Sequence, residues 1–285
     1  RSRIIYSSSF RRLQQKAQVF SLEANSNVRT RLTHSLEVSD LGKTLANSIG
    51  FKLKDKGLIS HDKIPEMVAI VENACLMHDI GNPPFGHFGE EAIKKWSKEN
   101  INDVMFKKAR VFRKNSENVD YRIHGLKKDF DEFDGNPQGF RIASKLHCER
   151  DEYSWNLTIS TLLCALKYVR TTGEIGKGNI AKKAGFFQTE KEFVEELWCR
   201  TNRDPHTRYP FTYMMEAADD IAYCLSDIAD GIEKNIVQPS EFIKEIKNNW
   251  NRSYGDIFPI NFSDGITKEN FALKVSVKLS KYLVA

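Results

Sequence analysis

The sequence has no apolar run approaching the roughly 20 residues needed to cross a bilayer as a helix, which argues against a membrane-spanning protein. Proline is scarce, with 8 in 285 residues, and no convincing alternation of apolar and polar positions marks a half-buried strand. Long stretches of 3.6-residue apolar periodicity instead predict an all-α fold. Cysteine is also sparse: Cys75, Cys148, Cys164, Cys199 and Cys224 are odd in number, irregularly spaced and contain no CxxC pair. That pattern is not a disulfide framework. Four of the five lie in apolar, helix-like stretches, which predicts reduced and mostly buried thiols in a cytoplasmic protein. No signal-peptide pattern, internal repeat or low-complexity segment is present. Net charge is only +5, from 43 basic and 38 acidic residues, so an anionic partner is permitted but not demanded.

What is there is a series of helical patterns. Helices are expected over about 33–48, 65–79, 88–96, 138–147, 154–169, 190–200 and 211–236, with helical patterning again near the end. A basic amphipathic stretch, "FRRLQQKAQVF", precedes them at 10–20. Gly50 and Gly57 suggest a linker, "FDGNPQG" at 133–139 a turn, and the Gly- and Lys-rich 170–188 a loop. The weakly periodic, charged region 97–132 reads as a lid-like excursion from a single domain spanning 1–285.

Three of these helices carry metal-type ligands. Met67, Val71, Ala74 and His78 recur at i, i+4, i+7 and i+11, so His78 lies on an apolar face. Alone it reads as a core histidine satisfied by one hydrogen bond. Its neighbour Asp79 changes the balance, because a carboxylate at a buried helix C-terminus faces the negative end of the helix dipole and calls for a cation. His34 repeats the pattern with Val38, Leu41 and Leu45. Asp219, Tyr223 and Asp227 share one face of the helix near 211–236, which alone would read as a solvated acidic face. Ala217, Ala218 and Ala222 weaken that reading, since small residues allow close helix packing. Together His34, His78, Asp79 and Asp219 offer two imidazoles and two carboxylates, a set suited to a divalent ion with open positions. No thiolate takes part, which argues against a structural zinc site. Arg31, one turn before His34, is placed to meet a phosphate.

The blocks "FRRLQQKAQVF", "VRTRLTHSLEV", "CLMHDIGNPPFGHFGEEAI", "LKYVR" and "MEAADDIAYCLSDI" occur in one order over most of 1–235. In this the chain closely resembles bacterial deoxyguanosinetriphosphate triphosphohydrolases of the HD superfamily of metal-dependent phosphohydrolases. The resemblance implies a helical HD-domain fold with additional helices. It implies cleavage of dGTP, or another dNTP, at the α-phosphorus to deoxynucleoside and inorganic triphosphate. It implies a divalent metal, Mg²⁺, Mn²⁺ or another transition metal, on His34, His78, Asp79 and Asp219, with His87 and Glu90 as the catalytic pair beyond it. By the same resemblance Gln18 and Val19 lie near the sugar, and Arg31, Lys167 and Tyr168 bind phosphates. Asn136 is a polar position near the phosphates, and Tyr223 and Asp227 hold the sugar. A homo-oligomer and binding of single-stranded DNA or a nucleotide effector are further implications. Relatives are considerably longer at the C-terminus, so the 285 residues are expected to lack C-terminal helices and substrate contacts of the family.

Two other readings remain open at this level. One is a different HD phosphohydrolase; Asn82 stands after "HDIG" where cyclic-dinucleotide phosphodiesterases often carry lysine, which counts against that branch. The other is a nucleic-acid-binding regulatory module with a vestigial metal site, drawing on the basic 10–20 stretch and the charged 97–132 region.

Overall fold

A computed structural model describes residues 1–101, 118–148, 151–254, 260–262 and 265–284. Its main helices are α1 (Ser2–Ile5), α2 (Ser8–Arg12), α3 (Arg31–Asp55), α4 (Lys63–Met77), α5 (His87–Asn100) and α6 (Asn118–Asp131). They continue as α7 (Gly135–Arg141), α8 (Ile159–Ala165), α9 (Lys191–Arg200), α10 (Pro210–Glu233), α11 (Pro239–Tyr254) and α12 (Val277–Val284). The all-α expectation holds. The described strands are one short parallel pair, β1 (Arg170–Thr171) with β2 (Ala184–Phe186), inside the stretch expected to be loop.

The centre is built by α3, α4, α8 and α10, which pack on one another through Val38, Val71, Ala74, Cys75, Cys164, Met215 and Ala218. A second core joins α1 and α2 to the C-terminal half of α4 and to α7, α8 and α9, with Leu76, Phe140, Leu163, Phe186 and Trp198 buried. A third lies between the end of α10 and the C-terminal segments, around Ile232, Phe271 and Leu279. Each central helix follows from its apolar stripe, because burial of that stripe, more than propensity, stabilises a helix in water.

The helix ends are encoded locally. Thr30 caps α3: its hydroxyl accepts from Thr33 N–H while the Thr33 hydroxyl accepts from Thr30 N–H, a reciprocal box that satisfies two otherwise orphaned donors. Pro210 opens α10 at a position where a missing N–H costs nothing.

Several local expectations are corrected. Gly50 is no linker but an interior residue of α3; a Cβ there would lie 3.0 Å from the Ile64 side chain, so the glycine serves close approach to α4. The 133–139 segment is mostly helix, since Asp134 caps α7 and Pro137 sits in the first turn, where no N–H is needed. The basic stretch 10–20 leaves helix after Gln15, and Ala17 pairs with Thr30 in an isolated antiparallel bridge. The helix expected over 154–169 is only α8. Region 97–132 is helical at both described ends, where Ser97 Oγ donates to Asp131 Oδ1 at 2.6 Å; 102–117, the middle of the expected lid, lies outside the described residues. Of the cysteines only Cys75 and Cys164 are buried, while Cys148, Cys199 and Cys224 are exposed. Among the described residues no helix is long and apolar enough to cross a membrane.

Candidate functional site

The three central ligand-bearing elements converge. His34 stands on the first turns of α3, His78 caps the C-terminus of α4, and Asp219 lies in the middle of α10. One ligand atom from each falls within 4.8 Å of the others. His34 Nε2 is 3.2 Å from Asp219 Oδ1, His78 Nε2 is 3.4 Å from the same oxygen, and the two imidazoles meet edge to face at 5.4 Å.

The donor chemistry fits a metal ion. His78 Nδ1 sits 2.7 Å from the Cys75 carbonyl oxygen, which can only accept, so the ring proton belongs on Nδ1. Nε2 is then a bare lone pair, and it is buried without a hydrogen-bond partner. This is the tautomer that ligates metals, held by a backbone carbonyl behind the ring. Burial alone would raise the Asp219 pKa, but His78, His34 and Lys167 outweigh it and hold the carboxyl well below the usual range. Asp219 is therefore an anion at neutral pH.

Asp79 stands beside this set rather than within it. Its Oδ2 accepts from Arg31 Nη1 at 2.5 Å and lies 3.7 Å from His78 Nε2, while its Oδ1 accepts from Asn82 Nδ2 at 2.5 Å. Burial opposes its charge, and His78 with Arg31 restores it, leaving the pKa below its ordinary value. Asn82 is held in turn by Lys16, whose Nζ donates to the Asn82 carbonyl at 2.6 Å.

After Asp79 the chain reverses sharply. Phe85, with φ 64°, and Gly86, with φ 54°, occupy the left-handed region, which is uncommon for a bulky residue such as phenylalanine. The reversal delivers His87 and Glu90 to the first turn of α5. His87 Nδ1 lies 2.7 Å from Glu90 Oε2, and Glu90 Oε1 accepts from Gly135 N–H at 2.9 Å. The carboxylate thus spans α5 and α7 and fixes the imidazole, which leaves His87 Nε2 as the ring nitrogen open to a ligand. The two segments meet almost backbone on backbone: a Cβ on Gly81 would overlap the Gly135 carbonyl oxygen and the Gly139 nitrogen.

These residues line one cleft of about 310 Å³. Of the residues singled out in the sequence, the cleft brings together Gln18, Arg31, His34, His78, Asp79, His87, Glu90, Asn136, Lys167, Tyr168, Asp219 and Tyr223. Gln18 Oε1 is buried and unpartnered there. Lys167 Nζ is 3.6 Å from both Asp219 and Glu216; burial disfavours its charge, but those two carboxylates raise its pKa above the ordinary value. Val19 and Asp227 are not among the lining residues. Val19 is an exposed side chain, and Asp227 lies beside Tyr223, whose phenol it pushes to a higher pKa.

The structure adds residues that the sequence reading passed over. Lys183 lines the cleft and pairs with Asp134 at 2.8 Å, while Lys16 braces Asn82 beneath it. Neither had a local signal. Lys183 is one of several lysines in a Gly-rich stretch, and Lys16 one of several basic residues in 10–20.

Comparison with known proteins agrees with this geometry. The HD domain family model matches residues 31–161. A deoxyguanosinetriphosphate triphosphohydrolase-like protein of Listeria innocua serovar 6a is 41% identical over 249 residues, covering 85% of this chain and 51% of that protein. Deoxyguanosinetriphosphate triphosphohydrolases of Enterobacter sp. strain 638 and Yersinia enterocolitica serotype O:8 are 39% and 38% identical, covering 88% and 90% of this chain and 52% and 54% of theirs. The chain spans about half the length of the curated relatives it matches. It belongs to the HD-domain superfamily and, within it, to the deoxyguanosinetriphosphate triphosphohydrolase-like family.

Proposed function

We propose that this chain carries the hydrolytic centre of a metal-dependent triphosphohydrolase that converts dGTP, and other dNTPs, with water into deoxynucleoside and inorganic triphosphate. The observation that carries the proposal is the meeting, in one cleft, of a His34–His78–Asp219 ligand set with a His87–Glu90 pair and several cations.

His34, His78 and Asp219 would hold the ion, with Asp79 beside them as a further carboxylate. A divalent cation such as Mg²⁺ or Mn²⁺ supplies Lewis acidity toward an α-phosphate oxygen. The chain's own groups do the rest. Arg31, Lys167 and Lys183 provide positive charge along a triphosphate, and Asn136 adds an amide. Phosphoryl chemistry rests chiefly on such positioning and charge neutralisation. His87 Nε2 handles a proton in the reaction, because the ring is exposed to the cleft and its other nitrogen is held by Glu90. Glu90 holds that ring in one tautomer through Nδ1. In the reaction the bond from the α-phosphorus to the 5′-oxygen breaks, water oxygen joins the phosphorus, and the leaving oxygen gains a proton. By the family resemblance Gln18 and Tyr223, which line the cleft, are assigned to the sugar, with Val19 beside Gln18 at the position that would exclude a 2′-hydroxyl and Asp227 beside Tyr223 as a partner for the 3′-hydroxyl.

The test is a product assay with each of the four dNTPs and GTP, with Mg²⁺ or Mn²⁺, resolved by ion exchange. Triphosphate and deoxyguanosine from dGTP, with little turnover of GTP, support the reading. Pyrophosphate or phosphate as the released product contradicts it.

A further inference from the structure

Asp134 is a carboxylate only 4% exposed, and it does not line the cleft, yet its partners do. Its Oδ1 accepts from the Asn136 backbone N–H at 2.9 Å and from Asn136 Nδ2 at 2.6 Å. Its Oδ2 faces Lys183 Nζ at 2.8 Å. Asn136 and Lys183 both line the cleft beside the metal-type ligands. The residue after Asp134 is Gly135, whose N–H holds Glu90. A buried carboxylate is costly unless every oxygen is paired, so Asp134 and its partners are fixed as one unit. Lysine is a flexible point charge, and an anionic partner behind it settles where that charge rests. Lys183 immediately precedes β2 and Asn136 lies in the first turn of α7, the helix that Asp134 caps, and these two elements pack together.

We propose that Asp134 is a positioning residue for polyphosphate binding: it holds the Lys183 ammonium and the Asn136 amide at the places where they meet the phosphates of the substrate. The inference rests on the function proposed above in taking a triphosphate as the ligand. Shifts in acidity accord with it, since burial raises the Asp134 pKa but Lys183 and Asn136 bring it below the ordinary value, while Asp134 raises that of Lys183 above its own. The alternative is a plain helix cap, with the ion pair serving stability alone.

Two substitutions separate these roles. Asp134→Asn removes the charge, and Asp134→Ser keeps a good helix-capping side chain while losing reach to Lys183. Inorganic triphosphate is titrated calorimetrically into the whole chain and each variant, with Mg²⁺ present, alongside dGTP kinetics. Each variant is expected to bind triphosphate about tenfold more weakly, the scale of one charge-assisted contact. KM for dGTP should rise by a similar factor, with kcat within about threefold. Lys183→Met, at a side chain 39% exposed and thus free to change without loss of fold, should weaken triphosphate binding comparably. Combined with Asp134→Ser it should cost less than the sum of the two. A role in stability alone would lower Tm and leave triphosphate affinity unchanged, so the affinity and not the Tm separates the two. Affinities within about twofold of wild type in the folded Asp134 variants, or in Lys183→Met, overturn the proposal. So does a wild-type chain that binds no triphosphate. Binding that follows the predicted pattern without dNTP turnover would overturn the functional reading and leave the Asp134 assignment standing.

Discussion

His87 and Glu90 are bonded at 2.7 Å across the boundary between solvent and interior: the imidazole is 83% exposed, whereas the carboxylate is 4% exposed. A mobile surface ring would lose much of its orientation to rotation. This one is anchored by a buried carboxylate whose second oxygen is taken by Gly135 N–H. The pair therefore combines access to substrate with a fixed tautomer.

From that arrangement, His87→Ala should keep metal affinity and thermal stability near wild type while lowering kcat about 10²- to 10⁴-fold, the usual scale of a proton-transfer group. Glu90→Gln should lower kcat as well and alter the pH profile, because a neutral amide no longer fixes which nitrogen carries the proton. Steady-state kinetics with Mn²⁺ titration decides it. Full activity in His87→Ala would remove that residue from the chemistry.

The metal set makes a different demand. His34→Ala or Asp219→Ala should abolish stoichiometric Mn²⁺ binding and turnover together. Removing one of three convergent ligands leaves too few donors for tight binding. Asp79→Ala should weaken binding less, since its oxygens are shared with Arg31 and Asn82. Calorimetry with Mn²⁺ checks the order, and an Asp79 variant weaker than both others would contradict it.

Gly81→Ala tests the backbone contact that joins the metal-bearing turn to α7. The added Cβ would overlap the Gly135 carbonyl. A loss of about 2 kcal/mol or more is expected in denaturant unfolding, as for other overpacked sites. A variant as stable as wild type would show that the turn can move away from α7.

The Asp134–Lys183 pair predicts an acid-dependent stability. The folded-state pKa of Asp134 is depressed, so its contribution is present above the unfolded pKa and lost as pH falls through the folded one. Asp134→Asn should cost about 1–3 kcal/mol at neutral pH, discounted for the partly exposed lysine. The gap in Tm between the two chains should close as pH falls below the ordinary aspartate range and through the depressed folded-state pKa. An unchanged gap on acidification would mean that the charge on Asp134 plays no part.

Much of this was legible in the sequence, and what was missed has physical causes. His34, His78 and Asp219 were readable because helix periodicity put both imidazoles on apolar faces and set Asp219 among small residues. Gly50 misled because a helix-interior glycine looks like a break until the neighbouring Ile64 is known. Gly135, Asn136 and Pro137 resembled a turn, whereas Asp134 ahead of them was a helix cap. Lys183 was invisible because its place depends on β2 packing against α7, a pairing distant in sequence. Cys199 and Cys224 were expected to be buried from their apolar surroundings, yet each falls on an outward face of its helix.

The most direct test of the central claim is hydrolysis of dGTP in oxygen-18 water, with both products analysed by mass spectrometry. Attack at the α-phosphorus with loss of the 5′-oxygen predicts inorganic triphosphate carrying the heavy oxygen and unlabelled deoxyguanosine. Labelled deoxyguanosine, or dGMP with pyrophosphate, would contradict it.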